Sequence, residues 1–538
     1  MSRPLSRRRF IGRAAAAAAL ALLPVGRLAA QVSFSSYPFK LGVSSGDPAP
    51  DGFVLWTRLA PEPLEPQQLG QVRFELDWDV AEDAAFTRVA ANGRTLAMPH
   101  LAHSAHVEVG GLAPGREYFY RFRLGRYESP VGRALTLPAA GAAVASLRYA
   151  LASCAQLEQG FFAAYRYMAD ERPDLIVELG DYIYEDGYGE RRVRVFDKRE
   201  AVTLADYRNR YAQYQLDPDL QAAHAACPWL VTWDDHEVDN DYAALTSEHE
   251  ACGGEPARSA FARRRAAAYQ AWYEHMPVRP SRLRADAGVQ VYGTFDWGRL
   301  ARFYLLDTRQ YRSPQACARE ATFTRCDSES GRKLLFIGAG GGQLISITDP
   351  ACGPALSDAS RSMLGAAQEQ WLDEALASSS ATWNLLAQST PFAPLFEGTA
   401  EAPLVYSDGW SGYPAAQQRL IEALVRHKVA NPVVLSGDLH AFFVNEVRGG
   451  RDRPVAVELV TSSIANNNTD KTGVMSLNPH IHFHDGTHSG YVLCEATPGR
   501  TRADLVAIED MRDPRTPRMV LASYEIAAGD ARPRRLVP

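Results

Sequence analysis

Positive charge is what this chain does not have in excess. Its 57 lysines and arginines stand against 63 aspartates and glutamates. The formal net charge is −6 and the pI is near 6.1, which leaves no overall basic footprint for nucleic acid. An anionic ligand would therefore need local positive charge, from arginines or metal ions. Long apolar runs are missing from the body of the chain, so the sequence predicts no transmembrane anchor in the mature protein. No internal repeat is seen. The one glycine-rich run, GAGGGQ (Gly338–Gln343), lacks the strand-to-helix surroundings of a nucleotide loop. Cysteine is scarce: Cys154, Cys227, Cys252, Cys317, Cys326, Cys352 and Cys494 make seven. In an exported protein an odd count leaves at least one thiol unpaired, and Cys317 with Cys326, close in sequence, is the easiest disulfide candidate. What is present is ordinary for a soluble globular protein: 46% hydrophobic and 22% charged residues over 538, enough for a large core and more than one domain.

The first 30 residues read as an export signal. Ser6–Gly12, SRRRFIG, carries the twin-arginine pattern; an alanine-rich apolar stretch runs from Ala14 to about Val25, and small residues offer a cleavage site near Ala30. The expected partner is the twin-arginine export machinery and the expected location periplasmic or secreted. That route carries folded proteins, often with a cofactor already loaded.

Two domains follow. From about Ser36 to Pro138 the chain is rich in short strand-like runs, among them Gly52–Leu59, Val72–Val80, Ala105–Leu112 and Glu117–Leu124. Turn residues separate them, which predicts a small all-β sandwich of immunoglobulin or fibronectin III type over 36–138. Leu137–Ser146, LPAAGAAVAS, reads as a linker. Over 147–530 near-continuous apolar strands alternate with helical stretches, predicting an α/β domain whose sheets are covered on both faces. In such sheets ligands gather at the carboxyl ends of the strands.

Four of those ends carry metal-type ligands. Cys154 closes the first strand, Asp181 the second, Asp234, Asp235 and His236 the third, and Asp438 and His440 the fourth. If the strands are neighbours, these side chains converge. Carboxylates suit hard cations, and imidazole and thiolate add affinity for a transition metal. Packed together they would fail to ionise without cations, and an aspartate bridging two metals is the economical arrangement, with Asp181 best placed. A second histidine-rich stretch, NPHIHFHDGTH (Asn478–His488), puts His480, His482 and His484 on one strand face with His488 nearby; we read it as a strand lining the cleft rather than a metal site.

The motifs ASCAQ, ELGDYIYEDG, TWDDHEVDND, LLDTRQYR, LGAAQEQWL and LSGDLH occur in this order. Together they resemble the PhoD-type alkaline phosphatases and phosphodiesterases, within the wider calcineurin-like and purple acid phosphatase group. The resemblance covers nearly the whole mature chain. It implies a four-layer α/β/β/α sandwich, preceded by the small β domain, and hydrolysis of phosphate monoesters or diesters. It also implies Fe³⁺ held by Cys154, Asp181, Tyr184 and His440, and one or two Ca²⁺ beside it, with Asp181 bridging and Asp235 and Asp438 as calcium ligands. Tyr184 would bind as phenolate, despite a free pKa of ~10; Tyr182 would pack or support. Gln156 stands where the family can carry an acid, which bears on the number of calcium ions. His236 and Asn240 would meet the substrate phosphate or a water. Arg309 is read either as a phosphate clamp or as a structural partner of Asp307. The competing readings are a diesterase of phospholipase D type, a non-catalytic binding protein stabilised by calcium, and iron redox chemistry. A monomer is expected.

Overall fold

The computed structural model describes residues 33–536 apart from 66–68, 189–191, 198–199, 248–253, 285–287, 318–343, 351, 451–452 and 472. The export signal, GAGGGQ, Cys252 and Cys326 thus lie outside the described residues. Two large sheets organise the rest. A ten-stranded sheet runs in the order Pro533–Leu536, Arg518–Ala527, Arg500–Ile508, Gly490–Ala496, Leu147–Ala152, Leu175–Glu178, Pro228–Val231, Val43–Ala49, Gly52–Arg58 and Ser104–Val109. A seven-stranded sheet runs Gly293–Trp297, Ala301–Leu305, Trp383–Ala387, Pro432–Ser436, Arg453–Val460, Phe442–Gly449 and Ile481–Asp485. Each has a parallel centre: 147–152, 175–178 and 228–231 in the first, 301–305, 383–387, 432–436 and 453–460 in the second.

The period-2 alternation of these strands sorts their side chains into separate cores. Leu147, Tyr149, Leu151, Leu175, Val177 and Leu230 of the first sheet share one core with Phe303, Leu305, Leu385, Val433 and Leu435 of the second. The intervening residues Ala150, Ala152, Ile176 and Trp229 face a core with Tyr165, Tyr211, Leu220 and Trp272. These come from the helices Ala163–Asp170, Leu204–Gln215, Pro218–Ala226 and Gly254–His275. On the other side Tyr304, Leu386 and Val434 meet Leu372, Leu376, Leu420 and Leu424, from the helices Ala366–Ala377 and Pro414–Arg426. Strands buried on both faces read as unbroken apolar runs, which is why 147–152, 175–178, 228–231 and 432–436 stood out in the sequence.

The N-terminal strands divide between two sheets. Phe74–Ala81, Val89–Ala97, Glu117–Leu124, Tyr127–Glu128 and Gly132–Leu135 form a five-stranded sheet. It packs over Val43, Phe53, Leu55 and Val107 through Leu76, Val80, Tyr120 and Phe122. The strands opposite it are an extension of the large sheet: Val43–Ala49 pairs in parallel with Pro228–Val231, Ser45 beside Pro228 and Gly46 beside Trp229. The small-residue stretch after it is docked rather than flexible. Ala142 O accepts the Arg299 N–H at 2.9 Å, Ser146 O accepts from Trp297 Nε1 at 3.1 Å, and Val144 packs on the inter-sheet core.

The cysteine pairing differs from the one read by proximity. Cys317 is bonded to Cys352, with Cα atoms 5.5 Å apart, and so not to Cys326. Thirty-five residues of separation did not prevent this, because the pairing is set by a small core of Ala316, Ile345, Leu356 and Val405 that brings the two ends together. Cys154, Cys227 and Cys494 are free and buried.

Candidate metal centre

Strands Leu175–Glu178 and Pro228–Val231 of the first sheet and Pro432–Ser436 of the second run out into one cavity, of about 510 Å³. Its walls include Asp181, Glu185, Asp235, His236, Asn240, Asp241, Asp438 and His440. The local reason for the Gly-Asp pairs in ELGD and LSGD is close approach. A Cβ on Gly180 would collide with the backbone of Asp234, and one on Gly437 with the Ser153 side chain. The loops are tied laterally: Cys154 N–H donates to Gly180 O at 3.1 Å, Ala155 N–H to Asp181 O at 2.9 Å, and Ile464 N–H to Ser153 O at 2.9 Å. The ligand candidates themselves sit in a costly conformation. Cys154, Asp181, Asp438 and His440 have φ of 60°, 58°, 67° and 52°, the left-handed region that non-glycine residues avoid. Four such residues in one constellation mark a site where backbone strain is held for function.

The side chains converge in part as the strand ends suggested: Asp438 lines the cavity but joins no cluster among the described residues, and Asp234 pairs with Arg309. One ligand atom each from Cys154, Asp181 and His440 lie within 4.8 Å of one another, as do those from Asp181, Asp235 and His236. A third group joins Asp235, Asp241 and Asp408. Tyr184 OH donates to Asp181 Oδ2 at 2.9 Å and lies 3.2 Å from His440 Nε2. Among the described residues these three groups are the metal-competent clusters, and none includes His480, His482, His484 or His488. Tyr182 points away, its hydroxyl 2.9 Å from His224 Nε2. Gln156 is buried and turned to the chain, donating to Asp186 O at 3.2 Å and accepting the Glu158 N–H at 3.0 Å.

Electrostatics argue that the cluster is built for cations. Burial, then neighbouring carboxylates, pushes Asp181 and Asp438 well above the usual carboxylate range. Burial and then Asp181 do the same to the Cys154 thiol and the Tyr184 phenol. Burial lowers His440 to about 4. Asp181 Oδ1, Asp235 Oδ1 and Asp438 Oδ2 are buried with no hydrogen-bond partner in the structure. Buried acceptor oxygens without a hydrogen-bond donor, beside a thiol, a phenol and an imidazole, are a donor set that suits hard and transition-metal cations.

His236 and Asn240 line the cavity. Burial opposes charge on His236, but Glu185, whose Oε2 lies 2.7 Å from Nδ1, together with Asp235 and Asp181 holds the imidazolium well above its ordinary pKa. The Asn240 N–H donates to the other oxygen of Glu185 at 2.9 Å. Arg309 is placed differently from either sequence reading. It is fully buried behind the cavity wall, its Nε donates to Asp234, and its Nη1 donates to Asp408 Oδ2 at 2.7 Å. Nη2 lies 3.6 Å from Asp235 Oδ1. Asp307 meets only its backbone, accepting the Arg309 N–H at 3.0 Å. It is thus no clamp on a substrate in the cavity: against the effect of burial, Arg309 and then His236 keep Asp235 below the usual carboxylate range.

Three contributors escaped the sequence reading. Glu185 follows Tyr184 directly and could have been found as an acid beside a candidate ligand. Asn466 donates to Tyr184 OH at 2.7 Å and lies 3.1 Å from His440 Nε2, but sits in a plain polar run with no local signal. Glu237 is buried and accepts backbone N–H groups from two loops, Tyr182 at 2.6 Å, Asp234 at 2.8 Å and Asp181 at 3.1 Å.

Comparison with known proteins places this arrangement. The sequence profile of PhoD-like phosphatases matches residues 149–505, and that of the PhoD-like phosphatase N-terminal domain matches 26–138. The chain is 43% identical over 497 residues to alkaline phosphatase D of Bacillus subtilis (strain 168), covering 90% of this chain and 79% of that protein. A solved structure of PhoD superposes with a TM-score of 0.85 at 41% identity over 94% of both chains. The chain is a member of the PhoD-like phosphatase family.

Proposed function

We propose that the protein is an exported, metal-dependent phosphoesterase that hydrolyses phosphate monoesters, diesters or both at the cavity where the two sheets meet. Hydrolysis of phosphoric esters follows from family membership. The observation that carries the metal dependence is the set of buried carboxylate oxygens without a hydrogen-bond partner on Asp181, Asp235 and Asp438, of which Asp181 and Asp438 sit on left-handed strand ends. Cys154, Asp181, Tyr184 and His440 would hold an iron ion, and Asp181, Asp235 and Asp438 one or two calcium ions. Bound there, the cations would neutralise the phosphoryl oxygens and lower the pKa of water for in-line attack. The chain's own residues do the rest. Asn466 fixes the hydroxyl of Tyr184 against His440, Arg309 keeps Asp235 ionised, and Glu185 holds Nδ1 of His236. That leaves Nε2 of His236 to carry a proton at the cavity for the leaving alkoxide.

The same reading takes the catalytic part, 147–530, as a four-layer α/β/β/α sandwich, supported by the three cores in series, and 36–138 as its fibronectin-like partner. It takes 1–30 as a twin-arginine signal, supported by SRRRFIG, the alanine-rich stretch after it and the small residues near Ala30.

The test is metal analysis of protein exported through its own signal, with hydrolysis of p-nitrophenyl phosphate and its bis-ester assayed with and without calcium. Iron near one per chain and calcium-dependent turnover are expected, and the ratio of the two rates gives the ester preference. Protein that binds neither metal and cleaves neither ester after reconstitution would return the site to a non-catalytic role.

A further inference from the structure

The cavity is far larger than one phosphoryl group with its ions, and its outer wall is chemically distinct from its floor. Among the described residues lining it, Lys471 is the single lysine or arginine, and its Nζ donates to Glu397 Oε1 at 2.6 Å on the same wall. Both side chains are mostly sheltered, 16% and 23% exposed, so the pair is more than a screened surface contact. The histidine-rich stretch, whose histidines join none of the metal-competent groups among the described residues, packs against this pair. Asn478 brackets the strand of Glu397, accepting the Phe396 N–H at 2.9 Å and donating to Phe396 O at 2.8 Å. His480 Nε2 lies 2.7 Å from Pro394 O. On the other side His484 Nε2 accepts the Lys471 N–H at 3.1 Å and its ring stacks on Phe443. One strand, Ile481–Asp485, with the residues before it, thus positions both partners of an ion pair at the mouth of the cavity.

We propose that Lys471 is a specificity-determining residue that binds a second anionic group of the substrate, such as a second phosphate or a carboxylate on the leaving group, and that Glu397 occupies the ammonium until such a substrate displaces it. This rests on the phosphoesterase reading above. An ammonium held in a sheltered wall gives a charge-assisted hydrogen bond to an incoming anion, while an ester lacking a second charge leaves the pair closed. Glu397 acts as a competitor, so its removal should favour the doubly charged substrate rather than harm it.

The experiment compares kcat/KM for a sugar bisphosphate with that for p-nitrophenyl phosphate in the metal-loaded full chain. Lys471→Gln should lower the ratio of the two about tenfold, mainly through KM for the bisphosphate. Lys471→Arg should restore most of it, and Glu397→Gln should raise it several-fold. A fold defect cannot produce opposite signs in two partners of one pair, so the third variant separates specificity from stability. Equal losses on both substrates, or a fall in the ratio with Glu397→Gln, would overturn the proposal while leaving the phosphoesterase reading intact. Failure of the wild-type enzyme to cleave both p-nitrophenyl phosphate and its bis-ester would remove that reading, and this subsite with it.

Discussion

Glu237→Gln is the sharpest probe of how the centre is assembled. The Glu237 carboxylate is the strut between the two loops that carry the candidate ligands Asp181 and Asp235. One oxygen takes the N–H groups of Asp181 and Asp234, at 3.1 and 2.8 Å, and the other takes that of Tyr182 at 2.6 Å. It is 1% exposed, so no water replaces what is lost. An amide keeps the shape but has one acceptor. Whichever way it turns, its NH₂ faces at least one backbone N–H, and that donor is left unsatisfied against another donor. Losing one or two bonds to an acceptor of this kind and burying an unpaired donor costs on the order of 3–5 kcal/mol. The loops should also separate, so that Asp181 and Asp235 no longer share one site. Urea unfolding of the wild type and the variant reads the first effect, and iron and calcium content after identical loading reads the second. A variant with an unfolding free energy within 1 kcal/mol of the wild type and full metal content would refute the argument.

Three further outcomes follow from the same structure. Arg309→Met removes the cation among Asp234, Asp235 and Asp408 and leaves buried acids uncompensated; a stability loss of roughly 3–5 kcal/mol is expected in thermal or urea unfolding, where Lys should recover only part. His224 is buried, with pKa lowered to about 3 by desolvation, between Tyr182 and Ser44. The fold holds it neutral, so its contribution is complete above the unfolded value of ~6.5 and is lost as pH falls towards the folded one, about 2–3 kcal/mol by pH 4.5. His224→Gln should flatten that part of the stability profile; an unchanged slope would assign the acid sensitivity elsewhere. Reduction of Cys317–Cys352 opens a loop of 35 residues and should cost about 3–4 kcal/mol of stability on the chain-entropy account. The loss should appear as faster hydrogen exchange in Leu344–Ser346, Phe396–Gly398 and Pro403–Tyr406, the small sheet whose Glu397 and Tyr406 wall the cavity.

What could be read in the chain beforehand was what contiguous residues encode. Leu175-Ile176-Val177 followed by Gly-Asp is a buried strand with a polar end whatever surrounds it, and the same holds for 228–236 and 432–440. Periodicity and turn chemistry act over a few residues, so the strands, the helices and the strand-end candidate ligands were legible, and six motifs in order pointed to the family. Lateral facts were not legible, because they depend on which segments become neighbours. Arg309 stands in a motif, yet its neighbours Asp234 and Asp408 lie 75 and 99 residues away, and they make it a brace of the cavity wall rather than a substrate clamp. Cys317 found Cys352 rather than Cys326 because a local core, not chain distance, set the encounter. The first β segment read as a small sandwich of immunoglobulin or fibronectin III type, and Val43–Ala49 has its parallel partner 185 residues on at Pro228–Val231, so hydrogen bonding across that edge joins it to the sheet that carries candidate ligands. Sequence alone thus determined the candidate ligand types and their place at strand ends; tertiary structure decided their convergence, their charge state and the residues that hold them, because burial and long-range pairing exist only once the two sheets are packed.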